Sequence, residues 1–211
     1  TNFGPHPRRG IDRQLPTVVV HPRVGPLPLE VHVHSVTRGG VEPVAYRVRP
    51  GPHFLAVEIG DPDSTRTGET IYQLRYSVRG ALVEGMHRTS LRWPVVGGEW
   101  DASVFQVEAI LELPTSGEAS DVVAESRVGY FGDTGRSVDV QVAEPERVVY
   151  RLLRGLRPHE MLVIDAAWPS APAAGTAGDA GSRRHRILLA AAGVAVVLAL
   201  AIVARRLARQ A

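Results

Sequence analysis

Apolar residues recur at every second position in short runs along most of this chain. Residues 103–113 show it most plainly: Val107, Ala109, Leu111 and Leu113 fall on one face, with Gln106, Glu108 and Glu112 opposite and Ile110 interrupting the polar side. In residues 69–79, Leu74, Tyr76 and Val78 alternate with Gln73, Arg75, Ser77 and Arg79; in 29–34, Leu29, Val31 and Val33 alternate with Glu30, His32 and His34. A two-residue period is that of a strand with one face buried and one wetted. Further runs near 41–49, 53–59, 122–131, 137–142, 147–153 and 161–166 are rich in Val and aromatic residues and are separated by Gly, Pro or Asp. No amphipathic helix and no fixed repeat interrupts this series. The pattern predicts an all-β, sandwich-like domain over residues 1–168.

The pattern then changes twice. Residues 169–182 (PSAPAAGTAGDAGS) offer almost nothing to fill a core and predict a flexible linker. From Ile187 to Ala204 the chain is apolar without interruption, with Gly193 and Ala195 near its centre. Eighteen helical residues would span about 27 Å, close to the hydrocarbon thickness of a bilayer. Arg183, Arg184 and Arg186 bracket the run on one side and Arg205, Arg206 and Arg209 on the other, placed to reach phosphate headgroups. Residues 183–211 therefore predict one transmembrane helix with a 187–204 core, and the lipid bilayer as a partner. The competing reading is a buried helix of a soluble core. Ala191, Ala195 and Ala199 recur every four residues, a spacing that permits helix–helix self-association, although an Ala-rich span has small residues everywhere.

Charge follows the same division. Residues 1–182 carry 18 Arg against 22 acidic residues, a net −4, whereas residues 183–211 add six Arg and no acid. The mildly acidic body speaks against nucleic-acid binding. Every Lys+Arg cation is Arg, which reads as codon bias. Cysteine is absent, which removes disulfides and thiolate metal sites. The arginine counts on the two flanks tie, so they give no orientation. The start at Thr1 without a leader and the short tail after the span suggest a fragment, with any signal peptide upstream.

Three stretches carry a resemblance. Arg9-Gly10-Ile11-Asp12-Arg13-Gln14-Leu15-Pro16 resembles an HGIYRDIP motif. Ile59-Gly60-Asp61, then residues 68–76 (GETIYQLRY) and Gly80-Ala81-Leu82, resemble a second motif. Residues 91–100 (LRWPVVGGEW) resemble an "elyWNvtGneW" signature. In this order they are similar to the N-terminal region of the domain-of-unknown-function 2207 family, predicted bacterial membrane proteins. Arg9 stands where that family tends to have His, Asp12 where it has Tyr and Pro94 where it has Asn. The resemblance implies an extracytoplasmic β-rich domain whose first strands precede this chain, at the bacterial cytoplasmic membrane. It implies no reaction.

Candidate sites are few. Trp93 and Trp100 flank Gly97-Gly98, glycines that permit positive φ or close backbone approach. The pair could form a surface for a protein or glycan partner, or plug the domain interior at a hairpin corner; large aromatics between strands favour the second. His32-x-His34 could share a metal with His53 or Glu30, but two histidines without an identified third ligand read better as a solvated strand face. The oxygen-rich stretch 61–69 has Arg66 and Tyr72 where a calcium loop wants Gly and Glu, and reads as a turn. No local catalytic, cofactor or metal signature occurs. The sequence thus predicts a membrane-anchored, non-enzymatic binding or scaffold domain of the bacterial cell envelope, without a cofactor. The alternatives are an envelope-polymer hydrolase with a dispersed carboxylate or Ser/His site, and a regulatory ectodomain for membrane partners.

Overall fold

A computed structural model describes residues 7–114, 121–132, 139–144, 146–152 and 154–170. Its named elements are all strands, and all pairings are antiparallel. The linker beyond Ser170 and the 187–204 run lie outside the described residues. Among the described residues no helix is long and apolar enough to cross a membrane.

The first unit brings two three-stranded sheets together. One has the order β1 (Gly10–Pro16), β7 (Phe54–Gly60), β6 (Tyr46–Pro50); the other has β5 (Glu42–Pro43), β4 (Glu30–Arg38), β8 (Tyr72–Arg79). Leu15, Val57 and Ile59 from the first meet Val36 from the second, with Val33, Leu74 and Tyr76 packed around them. The alternation on β8 holds throughout, Gln73, Arg75, Ser77 and Arg79 being exposed. The run predicted at 41–49 is divided. Glu42–Pro43 pairs with β4 and Tyr46–Pro50 with β7, so the chain crosses from one sheet to the other at Val44-Ala45.

The second unit sets a four-stranded sheet, β12 (Val123–Gly129), β15 (Met161–Pro169), β10 (Arg88–Val96), β9 (Leu82–Glu84), with a three-stranded one, β11 (Val107–Glu112), β14 (Arg147–Leu152), β13 (Asp139–Glu144). Their shared core holds Leu91, Trp93, Leu162, Ile164 and Trp168 from the first sheet, with Val107, Leu111, Val148 and Tyr150 from the second. The hairpin β2 (Val18–His21) and β3 (Gly25–Pro28) adds Val19 and Leu27. Val31 and Tyr76 pack against both cores, which joins the units.

Proline inside β10 breaks the usual rule for strands paired on both sides, because proline cannot donate to a ladder. The structure resolves the conflict locally. β9 pairs only with Thr89, Ser90 and Leu91, so at Pro94 the strand is bonded to β15 alone, and its register shifts between Pro94 and Val96.

Candidate functional site

The three motif stretches lie far apart in sequence and meet at one place. Arg13, in the middle of β1, is buried at 8 % exposure. Its guanidinium is ion-paired to Glu99 in the loop after β10, and its Nη2 donates to the Val95 carbonyl at 3.0 Å. Tyr76 of β8 stacks on Trp93 of β10 with ring centroids 6.4 Å apart. Each contact joins the first unit to the second.

Trp93 is 3 % exposed and belongs to the core, so of the two readings of the Trp93–Trp100 segment its ring follows the interior plug and not the partner surface. The reason is the alternation of β10, which turns Leu91, Trp93 and Val95 to the buried side. Trp100 is partly buried against the same core. Gly97 and Gly98 adopt no positive φ. They serve close approach instead: a Cβ on Gly97 would lie 2.0 Å from Glu99 Oε2, and one on Gly98 3.3 Å from the His159 carbonyl. Glycine at 97 therefore leaves room for the carboxylate that holds Arg13. From the other side His159, at φ 65°, donates its backbone N–H to the Trp100 carbonyl at 2.7 Å, and its Nδ1 lies 3.1 Å from the Gly98 carbonyl.

Inside the node, Tyr76 Oη, Trp93 Nε1 and Trp100 Nε1 are buried without a well-formed hydrogen bond among the described residues. Burial pushes the Tyr76 phenol above its ordinary range, with the Arg13 guanidinium and then the Trp93 indole N–H acting against it. The groups are committed to packing and to one ion pair. Their arrangement holds two β units in a fixed relation.

A second polar cluster bears on the hydrolase alternative. His21 of β2, 4 % exposed, places Nε2 3.3 Å from Ser90 Oγ on β10. The backbone N–H of Arg23 points at His21 Nδ1 at 3.3 Å, which makes Nδ1 the acceptor and leaves the proton on Nε2. Ser90 Oγ in turn donates to the Val83 carbonyl at 3.4 Å. A general base needs a free lone pair facing the hydroxyl, and here that nitrogen carries hydrogen. Burial, then Arg23, lowers the His21 pKa, so the ring stays neutral. Nearby Asp165 sits between Arg92 and Arg127, with nitrogen–oxygen distances of 3.4 Å to each. Its carboxyl is pushed up by burial despite both arginines. Sequence reading left this cluster unnamed, because its members come from β2, β10, β12 and β15.

The remaining candidates fall elsewhere. His32 and His34 are exposed on β4 with rings 4.9 Å apart, edge to face. Among the described residues no third His, Asp or Glu completes a metal set with them, and Glu30 faces Arg79 at 3.6 Å. Asp61 Oδ1 accepts from the Asp63 N–H at 2.9 Å, the geometry of a polar turn. An open groove of about 400 Å³ lies between Arg38-Gly39 and residues 66–71, with Arg38 spending its guanidinium on Glu42. The expected span residues Ile187, Gly193, Ala195 and Ala204, and the six flanking arginines, lie outside the described residues.

A family model described as "Predicted membrane protein (DUF2207) N-terminal domain" matches residues 1–168. No curated protein and no solved structure matches the chain. The chain belongs to this family of predicted membrane proteins, and the motifs that carried the resemblance are the ones that build the node.

Proposed function

We propose, for this member of a predicted-membrane-protein family, a non-enzymatic scaffold tethered to the bacterial cytoplasmic membrane by residues 187–204. It would stand outside the cell and present one end of its second β unit to an envelope partner. The observation that carries this reading is the Arg13–Glu99 and Tyr76–Trp93 node. The residues through which the family motifs meet are spent on stiffening the body. A stiff, single-body spacer suits presentation.

The presented end is the one that holds the Gly97–Trp100 loop. Met161 links its parts: its side chain lies against Gly98, and its backbone pairs with Gly129 at the end of β12. Directly after Gly129 come Tyr130, half exposed, and Phe131, at 94 % exposure. Both lie in the turn that leaves the strand, and aromatic side chains held out on loops from a sheet are the usual anchors of protein recognition. The chain leaves the same sheet at Ser170, at the opposite end of β15.

The test is site-specific photo-crosslinking in living cells, with a benzophenone amino acid at position 131 and, as control, at Arg79 on the exposed face of β8. Discrete adducts from 131 that disappear on Tyr130→Ala, with none from 79, are expected. Equal adducts from both sites, or none from 131, would overturn the reading. Labelling an introduced Arg79→Cys in intact cells with a membrane-impermeant maleimide tests the side, and the cysteine-free chain makes that label unique.

A further inference from the structure

The other end of the second unit carries a different surface, grouped around the point where the chain leaves it. Ser170 donates its N–H to the His87 carbonyl at 3.1 Å, and its Oγ lies 3.0 Å from Thr89 Oγ1. The exit is thus pinned to the turn between β9 and β10. Met86, at the tip of that turn, is 92 % exposed. On one side of the exit, Val123 of β12 pairs with Ala167 and is 52 % exposed. On the other, the β2–β3 hairpin comes in through the His21–Ser90 contact, Ser90 being paired with both Ala167 and Val83. That hairpin's turn exposes Val24 at 53 %. Three exposed apolar side chains thus lie at the exit end: Val123 at the level of the Ala167–Ser90 pair, Val24 three residues beyond His21 and Met86 four residues from Ser90.

We propose that this end of the domain rests on the lipid bilayer, with Val24, Met86 and Val123 entering the headgroup region. The inference rests on the reading of residues 187–204 as the membrane anchor. Sixteen residues, 171–186, separate Ser170 from Ile187, so the exit is held within about 55 Å of the bilayer even at full extension. At that effective concentration a modest apolar patch suffices for docking, since the cost of bringing the two surfaces together is already met by the anchor. The formal charges named at this end, Arg23 and Arg88 against Glu84 and Asp121, cancel in number, and Arg88 donates to the Asp121 backbone carbonyl. Docking is therefore apolar and independent of lipid charge. It also turns Tyr130 and Phe131 away from the membrane.

The experiment uses the full chain in phosphatidylcholine vesicles carrying doxyl-labelled lipid, with and without phosphatidylglycerol. A bimane probe is attached in turn in the Val24→Cys, Met86→Cys and Phe131→Cys variants. Emission falling by about half at 24 and 86, unchanged at 131 and equal in both lipid mixtures, is the expected result. Adding Met86→Asp to Val24→Cys should abolish the quenching at 24 while the unfolding midpoint holds. A chain that stays in the vesicles through alkaline carbonate but shows no quenching at 24 and 86 overturns the docking and leaves the anchor standing. That outcome points to a protein or a second copy as the occupant. Quenching strongest at 131 would invert the orientation and also overturn it. Release by carbonate would remove the anchor, and the docking with it.

Discussion

Arg13 and Glu99 are 86 positions apart and form an ion pair, the guanidinium held also by the Val95 carbonyl. Side-chain exposures of 10 % and 15 % make the pair part-buried and weaken, without abolishing, its screening by solvent. It joins β1 of the first unit to the loop that leaves β10 of the second. In such a pair, removing one member strands the charge of the other.

Arg13→Ala is expected to cost about 3–5 kcal/mol, and Glu99→Ala a comparable amount, in denaturant unfolding of the full chain in detergent micelles. The double change Arg13→Met with Glu99→Leu should recover most of that loss, since no charge is then left unpaired. Single-variant losses below about 1 kcal/mol would mean that the pair is solvated and ties nothing.

Two motif glycines face each other in register across β1 and β7, Gly10 opposite Gly60. Gly60 has φ 136°, and a Cβ there would lie 2.2 Å from the Arg9 carbonyl oxygen; one on Gly10 would lie 1.9 Å from that of Ile59. Backbone cannot retreat from backbone without opening the ladder. Gly60→Ala should therefore cost at least about 2 kcal/mol. Gly39→Ala is the control: its φ is 58° and nothing lies within 4 Å, so only the left-handed conformation is penalised, by about 1 kcal/mol. Equal costs at the two sites would remove the close-approach argument.

Alternation made much of this legible beforehand. Val107, Ala109 and Leu111 are buried as their spacing predicts, and the face bearing Glu108 and Glu112 is more open. β10 escaped because Pro94 and the pair Val95-Val96 blur its period, and only the short reach of β9 makes the proline tolerable. β1 escaped because it opens on Gly10, closes on Pro16 and pairs with distant β7, and the hairpin β2–β3 because its four-residue strands, one carrying Pro26 and Pro28, are too short to show a period. The node was half legible. Three motifs could be seen, but that Arg13 reaches Glu99 depends on how two units dock, and no local period records that. Nor could spacing tell that Gly97 gives room to a carboxylate instead of making a turn.

Tyr76 and Tyr150 should govern the alkaline limit of stability. Burial raises both phenols above their ordinary range, with Asp165 adding to the effect at Tyr150. Below about pH 10 both folded and unfolded forms keep these protons. Above it the unfolded chain loses them first, so stability falls as pH rises. Tyr76→Phe should flatten that fall. The hydroxyl has no well-formed hydrogen bond and only a weak contact from the Trp93 indole, so the change should also alter stability at neutral pH by no more than about 1 kcal/mol, in either direction. A larger loss at neutral pH would show that the hydroxyl is bonded.

The acid side should fall in two steps. The folded His21 pKa is depressed, first by burial, so below about pH 6.5 the unfolded chain takes up a proton that the native ring refuses, and stability drops. Glu160 is depressed by hydrogen bonds from Arg154 at 2.8 and 3.2 Å and from the Arg157 N–H at 2.8 Å. Its contribution is complete above the ordinary carboxyl range and is lost as pH falls through the folded value. His21→Gln should remove the upper step and Glu160→Gln the lower, in melting temperatures followed by tryptophan emission. A single step unaffected by His21→Gln would refute the assignment.

Asp165 should oppose that trend. Its folded pKa is raised, because the loss of water outweighs the help of Arg92 and Arg127, and one of its oxygens, Oδ2, is buried without a hydrogen bond. As pH falls the native carboxyl gains its proton before the unfolded one, so this group adds stability towards acid and subtracts it near neutrality. Asp165→Asn keeps the shape and removes the desolvated charge, and the Tyr150 hydroxyl still finds the backbone carbonyl of residue 165 at 3.1 Å. The variant is expected to melt slightly above the parent at neutral pH, with the difference shrinking below about pH 4. A marked loss at neutral pH would mean that the arginines repay the buried carboxylate in full, and that Asp165 helps to hold β10, β12 and β15 together through its charge.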